Sequence, residues 1–232
     1  MTTRRTPLAT TEYYHIYNRG VDKRVIFTDR YDVDRFFRSM VAFNTVEPVG
    51  SLREADLERK NSLPESLRES LRSGGETPVN HDPLVDIIAY CLNPNHFHLL
   101  LRQKVDGGVS EFMRRLSGGY TWYFNNKYDR SGALFQGRFK SSHIDVNEYF
   151  LHVSVYVNLN FRVHKYRGKD LENILSSWDE YMGVCAPQNR ICTKDSILGQ
   201  FKTEKAYADF AEKSLIGILE RKRLAKELTI EE

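Results

Sequence analysis

Cysteine is scarce in this chain: Cys91, Cys185 and Cys192 are the three among 232 residues, and no two stand close together. They supply neither a disulfide framework nor a zinc-binding pattern, so a reducing compartment is the expectation. Long apolar runs are missing as well. No stretch approaches the roughly 20 apolar residues that cross a bilayer. The basic residues of the N-terminal MTTRRTPLATTEYY have no apolar segment behind them, which argues against a signal peptide. A cytoplasmic protein with no membrane partner is expected. Excess charge is also small, at +3, too little by itself to mark a nucleic-acid binder. Placement says more than the total. Between 130 and 169 the chain carries Arg130, Arg138, Lys140, Arg162, Lys165, Arg167 and Lys169 against only Asp145 and Glu148.

Tyr13 to Asn18, YYHIYN, is aromatic and β-branched and runs into Arg19-Gly20, the pattern of a strand entering a turn. In DVDRFFRSMVAFN, Val33, Phe36, Phe37, Met40 and Val41 recur at helical spacing. The composition then shifts to Ser, Glu, Arg, Leu, Gly and Pro over 47–83, interrupted by Pro64 and Gly74-Gly75, which reads as a mobile insertion outside the core. VDIIAYCL and HFHLLLRQ, separated by Asn93-Pro94-Asn95, form a β-hairpin signal. Val109, Phe112, Met113, Leu116, Tyr120, Tyr123 and Phe124 trace a second helix. GALFQGRFKSSHID predicts a fourth strand with Arg138 and Lys140 on one face. NEYFLHVSVYVNLN predicts a third, largely buried helix capped by Asn147. The order β, α, hairpin, α, β predicts an α+β, ferredoxin-like antiparallel sheet with helices packed on one face. The predicted organisation is a main domain from 1–46 and 84–168, the insertion at 47–83, and a C-terminal helical extension over 169–232.

On a strand, i and i+2 share a face, so His96 and His98 project together while Phe97 faces the core. Neutral imidazoles so placed are ligands for a divalent metal, although exposed or hydrogen-bonded histidines give the same pattern. Tyr156 and Asn160, four residues apart, share a face of the third helix. The Asn160 amide oxygen suits a mixed nitrogen and oxygen site for Mg2+ or Mn2+. The Tyr156 phenol, a weak nucleophile near its ordinary pKa of about 10, would then stand one turn away. The chain has thirteen tyrosines. A core aromatic is the alternative for Tyr156, and Tyr120, Tyr123, Tyr128 and Tyr149 are rivals for its role. His15, inside the opening strand, could approach the same face of the sheet but reads as a hydrogen-bonded structural histidine.

With these segments in view, the sequence resembles the single-tyrosine HUH transposases, in particular the REP-associated tyrosine transposases and their insertion-sequence relatives. YHIYNRGVDKRVIF, AYCLNPNHFHLLL, SGALFQGRFKS, EYFLHVSVYVNLN, SSWDEYMG and CTKDSILGQF carry the resemblance. Phe161 departs from it, standing where the family often has a proline that would favour ending the helix. The resemblance implies a metal-dependent single-stranded DNA endonuclease and strand transferase acting at hairpin-forming repeat or element ends. It gives the metal, Mg2+ or Mn2+, to His96, His98 and Asn160, and the attack on the scissile phosphate to Tyr156, forming a 5′-phosphotyrosine. Single-stranded hairpin DNA is the implied partner, with Arg130, Arg138, Lys140, Arg162, Lys165 and Arg167 as its phosphate track and a nucleoid-associated location when bound. A homodimer and a single working chain are both known in the wider group. A domesticated nucleic-acid-binding regulator without cleavage is the alternative function, and a replication initiator or relaxase a weaker third.

Overall fold

A computed structural model describes residues 8–48 and 82–228. Five strands form one sheet in the order β4-β1-β3-β2-β5: β1 (Tyr13–Arg19), β2 (Val85–Asn93), β3 (His96–Gln103), β4 (Lys140–Ile144) and β5 (Leu175–Ser176). Every pairing is antiparallel. With α1 (Arg30–Ala42) between β1 and β2, and α2 (Gly108–Lys127) between β3 and β4, the first four strands give the expected ferredoxin-like α+β layout. The edge strand β5 is added from the C-terminal tail. The expected insertion at 47–83 lies outside the described residues except at its ends.

The sheet is buried on both faces. Tyr14 and Ile16 of β1 and Phe97, Leu99 and Leu101 of β3 pack against Val33, Phe36 and Met40 of α1 and Val109, Phe112, Leu116 and Tyr120 of α2. Val41, at the rim of the expected α1 stripe, is exposed. The opposite face is covered by α3 (Asn147–Asn158) and the long α7 (Glu204–Leu228), where Leu100 and Ile144 meet Phe150, Val153, Val157, Tyr207 and Leu215. The connection from α3 to α7 holds three one-turn helices: α4 (Asn160–Val163), α5 (Trp178–Tyr181) and α6 (Asp195–Leu198). Among the described residues no helix is long and apolar enough to cross a membrane.

One irregularity in β2 decides what faces the site. Ile87 pairs with Leu101 and Ala89 with Leu100, leaving Ile88 as an extra residue, and a one-residue slip exchanges the faces. Val85 and Ile87 therefore pack with α1 and α2, whereas Ala89 packs with α3. Beyond the bulge, Tyr90 and Leu92 fill the α1/α2 side, and Asn93 turns to the α3 side. The hairpin turn, Pro94-Asn95, is gripped from outside: Ile26 and Phe27 donate backbone N–H groups to the Pro94 carbonyl, and Gly20 donates to that of Asn95. Only glycine fits at 20, since a Cβ there would overlap the Arg24 carbonyl.

Three expectations need correction. Residues 132–139 form a loop, not a strand; it touches the chain just past β1 through the Gly20–Phe135 bridge and turns at Gly137, whose φ is +71°. Arg138 thus lies outside β4, which begins at Lys140. The third helix ends at Asn158, with Leu159 out of helical conformation, so Asn160 opens α4 instead of continuing the helix that bears Tyr156. Asn147 is the first helical residue; Val146 is the cap.

α1 and α2 are tied by a buried carboxylate. Asp32, fully buried, accepts from the Thr28 N–H (2.8 Å), the Tyr128 hydroxyl (2.8 Å), the Tyr123 hydroxyl (3.0 Å) and Lys127 Nζ (2.8 Å). Asp32→Ala is expected to cost about 3–5 kcal/mol, because it strands partners of a buried ion pair. Asp29→Ala, which removes a half-exposed helix cap bonded to Asp32 N and paired with Lys127, should cost about 1 kcal/mol. Urea denaturation of both variants checks the order, and equal losses would contradict it.

Candidate active site

β3 is the middle strand of five, and its first turn-proximal residues carry the two histidines. His96 stands between Asn93 of β2 and Arg19 of β1; His98 stands between Cys91 and Tyr17. Phe97 goes to the α1/α2 core between them. The predicted pair therefore shares a face, with ring centroids 5.2 Å apart and planes nearly perpendicular.

Each imidazole is held at Nδ1. His96 Nδ1 lies 2.7 Å from Asn95 Oδ1. The Asn95 amide is oriented independently: its Nδ2 donates to the Lys23 carbonyl (3.2 Å), and its Oδ1 also accepts from the Tyr166 hydroxyl (3.3 Å). With an acceptor oxygen at Nδ1 and the Asn93 amide donor at Nε2, the tautomer that fits both carries its proton on Nδ1 and keeps a lone pair on Nε2. That lone pair is 3.1 Å from Asn160 Oδ1, a second acceptor, and the Asn93 amide donates to both, at 3.2 Å and 3.0 Å. His98 Nδ1 is 2.8 Å from Nε2 of His15. Among the described residues His98 Nε2 has no hydrogen-bond partner.

These atoms fit a divalent cation. Asn160 is fully buried, its Oδ1 faces the His96 lone pair, and its Nδ2 is a buried donor with no hydrogen-bond partner among the described residues. No group of three His, Cys, Asp or Glu side chains able to hold a metal occurs among the described residues. A cation here must draw on the amide oxygen, which favours a hard ion taking mixed nitrogen and oxygen ligands.

Tyr156, half-buried on α3, meets the histidines edge-on, with centroids 5.4 Å from His98 and 5.7 Å from His15. Burial raises its phenol above the ordinary value, partly offset by the Asn160 amide nearby, which favours the phenolate. Four side chains predicted to act together, His96, His98, Tyr156 and Asn160, do converge within one chain. Of the rival tyrosines, Tyr120 bonds to the Ile26 carbonyl, and Tyr123 and Tyr128 bond to Asp32. Tyr149 is exposed.

The predicted basic track is brought together only in part. Lys140 lies opposite Tyr17 and so shares the site's face. Arg162 is paired with Glu212, and Arg130 is bonded to Asn125 over the Phe124 ring. Arg138, Lys165 and Arg167 are exposed in loops. Two cations that sequence reading passed over act on His96 instead. Arg19 and Lys222 both help to hold its pKa down, after burial as the main cause, and Lys222 Nζ donates to the Val163 carbonyl (3.0 Å). A positive field at this face suits a phosphate. His15, read as a structural histidine, is hydrogen-bonded as such and also lies on the site's face, the approach that the alternation Tyr13, His15, Tyr17 left open. Its ring lies nearly parallel to those of Tyr17 and His98, with centroids 5.1 Å and 5.0 Å away.

The α3 segment is fixed from the tail. Asn158 Oδ1 accepts from Ser177 Oγ (2.6 Å), its Nδ2 donates to Tyr207 Oη (3.0 Å), and its backbone carbonyl accepts from Ser176 Oγ (2.6 Å). The Ser176 hydroxyl thereby satisfies a carbonyl at the helix end.

Comparison with known proteins places this geometry in context. The family model described as "Transposase IS200 like" matches residues 58–160, a span that includes the hairpin, Tyr156 and Asn160. No curated protein sequence matches the chain. A solved structure of a REP-associated tyrosine transposase bound to a REP hairpin matches with a TM-score of 0.50 at 13% identity, over 80% of this chain and 89% of that one. That likeness bears on the fold.

Burial holds the His15 imidazole down to about 4, and His96 and His98 are lowered as well. The unfolded chain, with histidines near the ordinary 6.5, takes up protons first. Stability is therefore fully present above pH 6.5 and is lost as pH falls toward 4. His15→Phe should make that decline shallower, by up to about 3 kcal/mol at its low end. Urea midpoints between pH 7.5 and 4.5 measure it, and an unchanged slope would contradict it.

Proposed function

We propose, from the match of residues 58–160 to the model of IS200-like transposases, that this protein is a metal-dependent single-stranded DNA endonuclease and strand transferase. The observation that carries the reading is the convergence of His96, His98, Asn160 and Tyr156 at one face of one sheet within a single chain. His96 and His98, through Nε2, and Asn160, through Oδ1, would hold Mg2+ or Mn2+. When bound, the cation would neutralise charge developing on the phosphate and its leaving oxygen.

The chain's own residues do the rest. Tyr156 Oη attacks the scissile phosphorus as its proton departs; the bond to the 3′-oxygen breaks, and that oxygen leaves as a 3′-hydroxyl after protonation. A 5′-phosphotyrosine remains. One phosphodiester is exchanged for another, so the later reversal needs no nucleotide cofactor. Arg19, Lys140 and Lys222 supply the positive field that draws the backbone to this face. Asn158 holds the end of α3, and with it the aim of Tyr156. A hairpin-forming single strand at repeat or element ends is the proposed substrate, and the protein described as bound to a REP hairpin, whose fold resembles this one, supports that class. The proposed domain organisation keeps 47–83 as an insertion.

The test is covalent capture. Labelled single strands carrying hairpin ends, incubated with the protein and Mn2+, should give an adduct that survives denaturation. Tyr156→Phe and His96→Ala should each lower its yield by at least about 10²-fold, while hairpin binding in Tyr156→Phe stays within twofold. An adduct persisting in Tyr156→Phe would contradict the nucleophile. Hairpin binding without any adduct from the wild-type chain would favour the non-cleaving regulator.

A further inference from the structure

His15 is buried to 8% exposure on β1, on the face that β1 shares with the site. A buried imidazole needs a partner, and among the described residues the one its ring has is Nδ1 of His98, 2.8 Å from its Nε2. The two rings lie nearly parallel, at an interplanar angle of 18°. Tyr17 stacks on both, and Tyr156 meets both edge-on. His15 thus touches the predicted ligand His98 and the predicted nucleophile Tyr156 without itself reaching the Asn160 side of the site.

The other histidine supplies a parallel. His96 donates from Nδ1 to an oxygen whose orientation is set by Lys23 and Tyr166, and this leaves the lone pair on Nε2, where the Asn93 amide reaches it. His98 has no such oxygen. Its Nδ1 faces a ring nitrogen, which can act as donor or acceptor. The neutral pair has two arrangements, and only one leaves Nε2 of His98 unprotonated. Ligating histidines are held in this way by a partner at the second ring nitrogen, and loss of that partner weakens the metal.

We propose that His15 is a positioning residue: it accepts the Nδ1 proton of His98 on its own Nε2, fixing His98 in the tautomer and ring orientation that present Nε2 to a divalent cation. This rests on the reading of the site given above. The stacked Tyr17 ring keeps the pair coplanar, and Tyr156 packs on the edge of a rigid two-imidazole unit.

Two measurements test it on the full-length protein. Nitrogen-15 spectra of the metal-free wild type at pH 7.5 should show His98 as the Nδ1–H tautomer; His98 as the Nε2–H tautomer overturns the proposal. This readout needs no variant to fold. Calorimetric titration with Mn2+ should then show His15→Phe binding about 10- to 100-fold more weakly than wild type. His15→Gln, whose amide oxygen can accept the same proton, should recover most of that loss. Wild-type Mn2+ affinity in folded His15→Phe overturns the role of His15 and leaves the site reading standing. A wild-type protein that neither binds Mn2+ nor forms the DNA adduct overturns both.

Discussion

A histidine on a strand buried from both sides has to find a hydrogen-bond partner for its ring, and two histidines at i and i+2 have to find them on the same face. That constraint organises this end of the molecule. Asn95 answers it for His96, through an amide already aimed by Lys23 and Tyr166; His15 answers it for His98. With both Nδ1 atoms engaged on the sheet side, the remaining nitrogens are directed at the space shared with α3. There, Asn160 Oδ1 and Tyr156 are waiting.

The β2 bulge and the tail serve the same end. By slipping one residue at Ile88, β2 brings Asn93 to the histidine face, where its amide bonds to both His96 and Asn160. Hydroxyls from Ser176, Ser177 and Tyr207 hold Asn158 at the end of α3. The segments that deliver them are β5 with the turn after it and α7, which also brings Lys222 near the histidines. These segments therefore pack as part of the site's wall, continuous with the core of Leu100, Val157 and Tyr207.

The hairpin, both amphipathic helices and the strand order were legible because their apolar residues keep strict periods: Phe97, Leu99 and Leu101 on β3, and Phe112, Leu116 and Tyr120 on α2. The bulge was hidden because VDIIAYCL is apolar throughout, and a strand buried on both faces shows no alternation. Residues 132–139 mimicked a strand by alternating, but Gly137 turns the chain there and leaves Arg138 in the loop. The end of α3 at Leu159 has no proline or glycine to announce it; it is imposed by groups far along the chain. His15 and Lys222 were obscure for the same reason, since their meaning depends on what the fold sets beside them.

The central claim is that His96, His98 and Asn160 form one cation site beside Tyr156. Anomalous diffraction from crystals grown with Mn2+ tests it most directly. The account predicts a manganese peak within coordinating distance of His96 Nε2, His98 Nε2 and Asn160 Oδ1, on the side from which Tyr156 approaches. Manganese bound elsewhere, or a peak that leaves either histidine or Asn160 unligated, would contradict it.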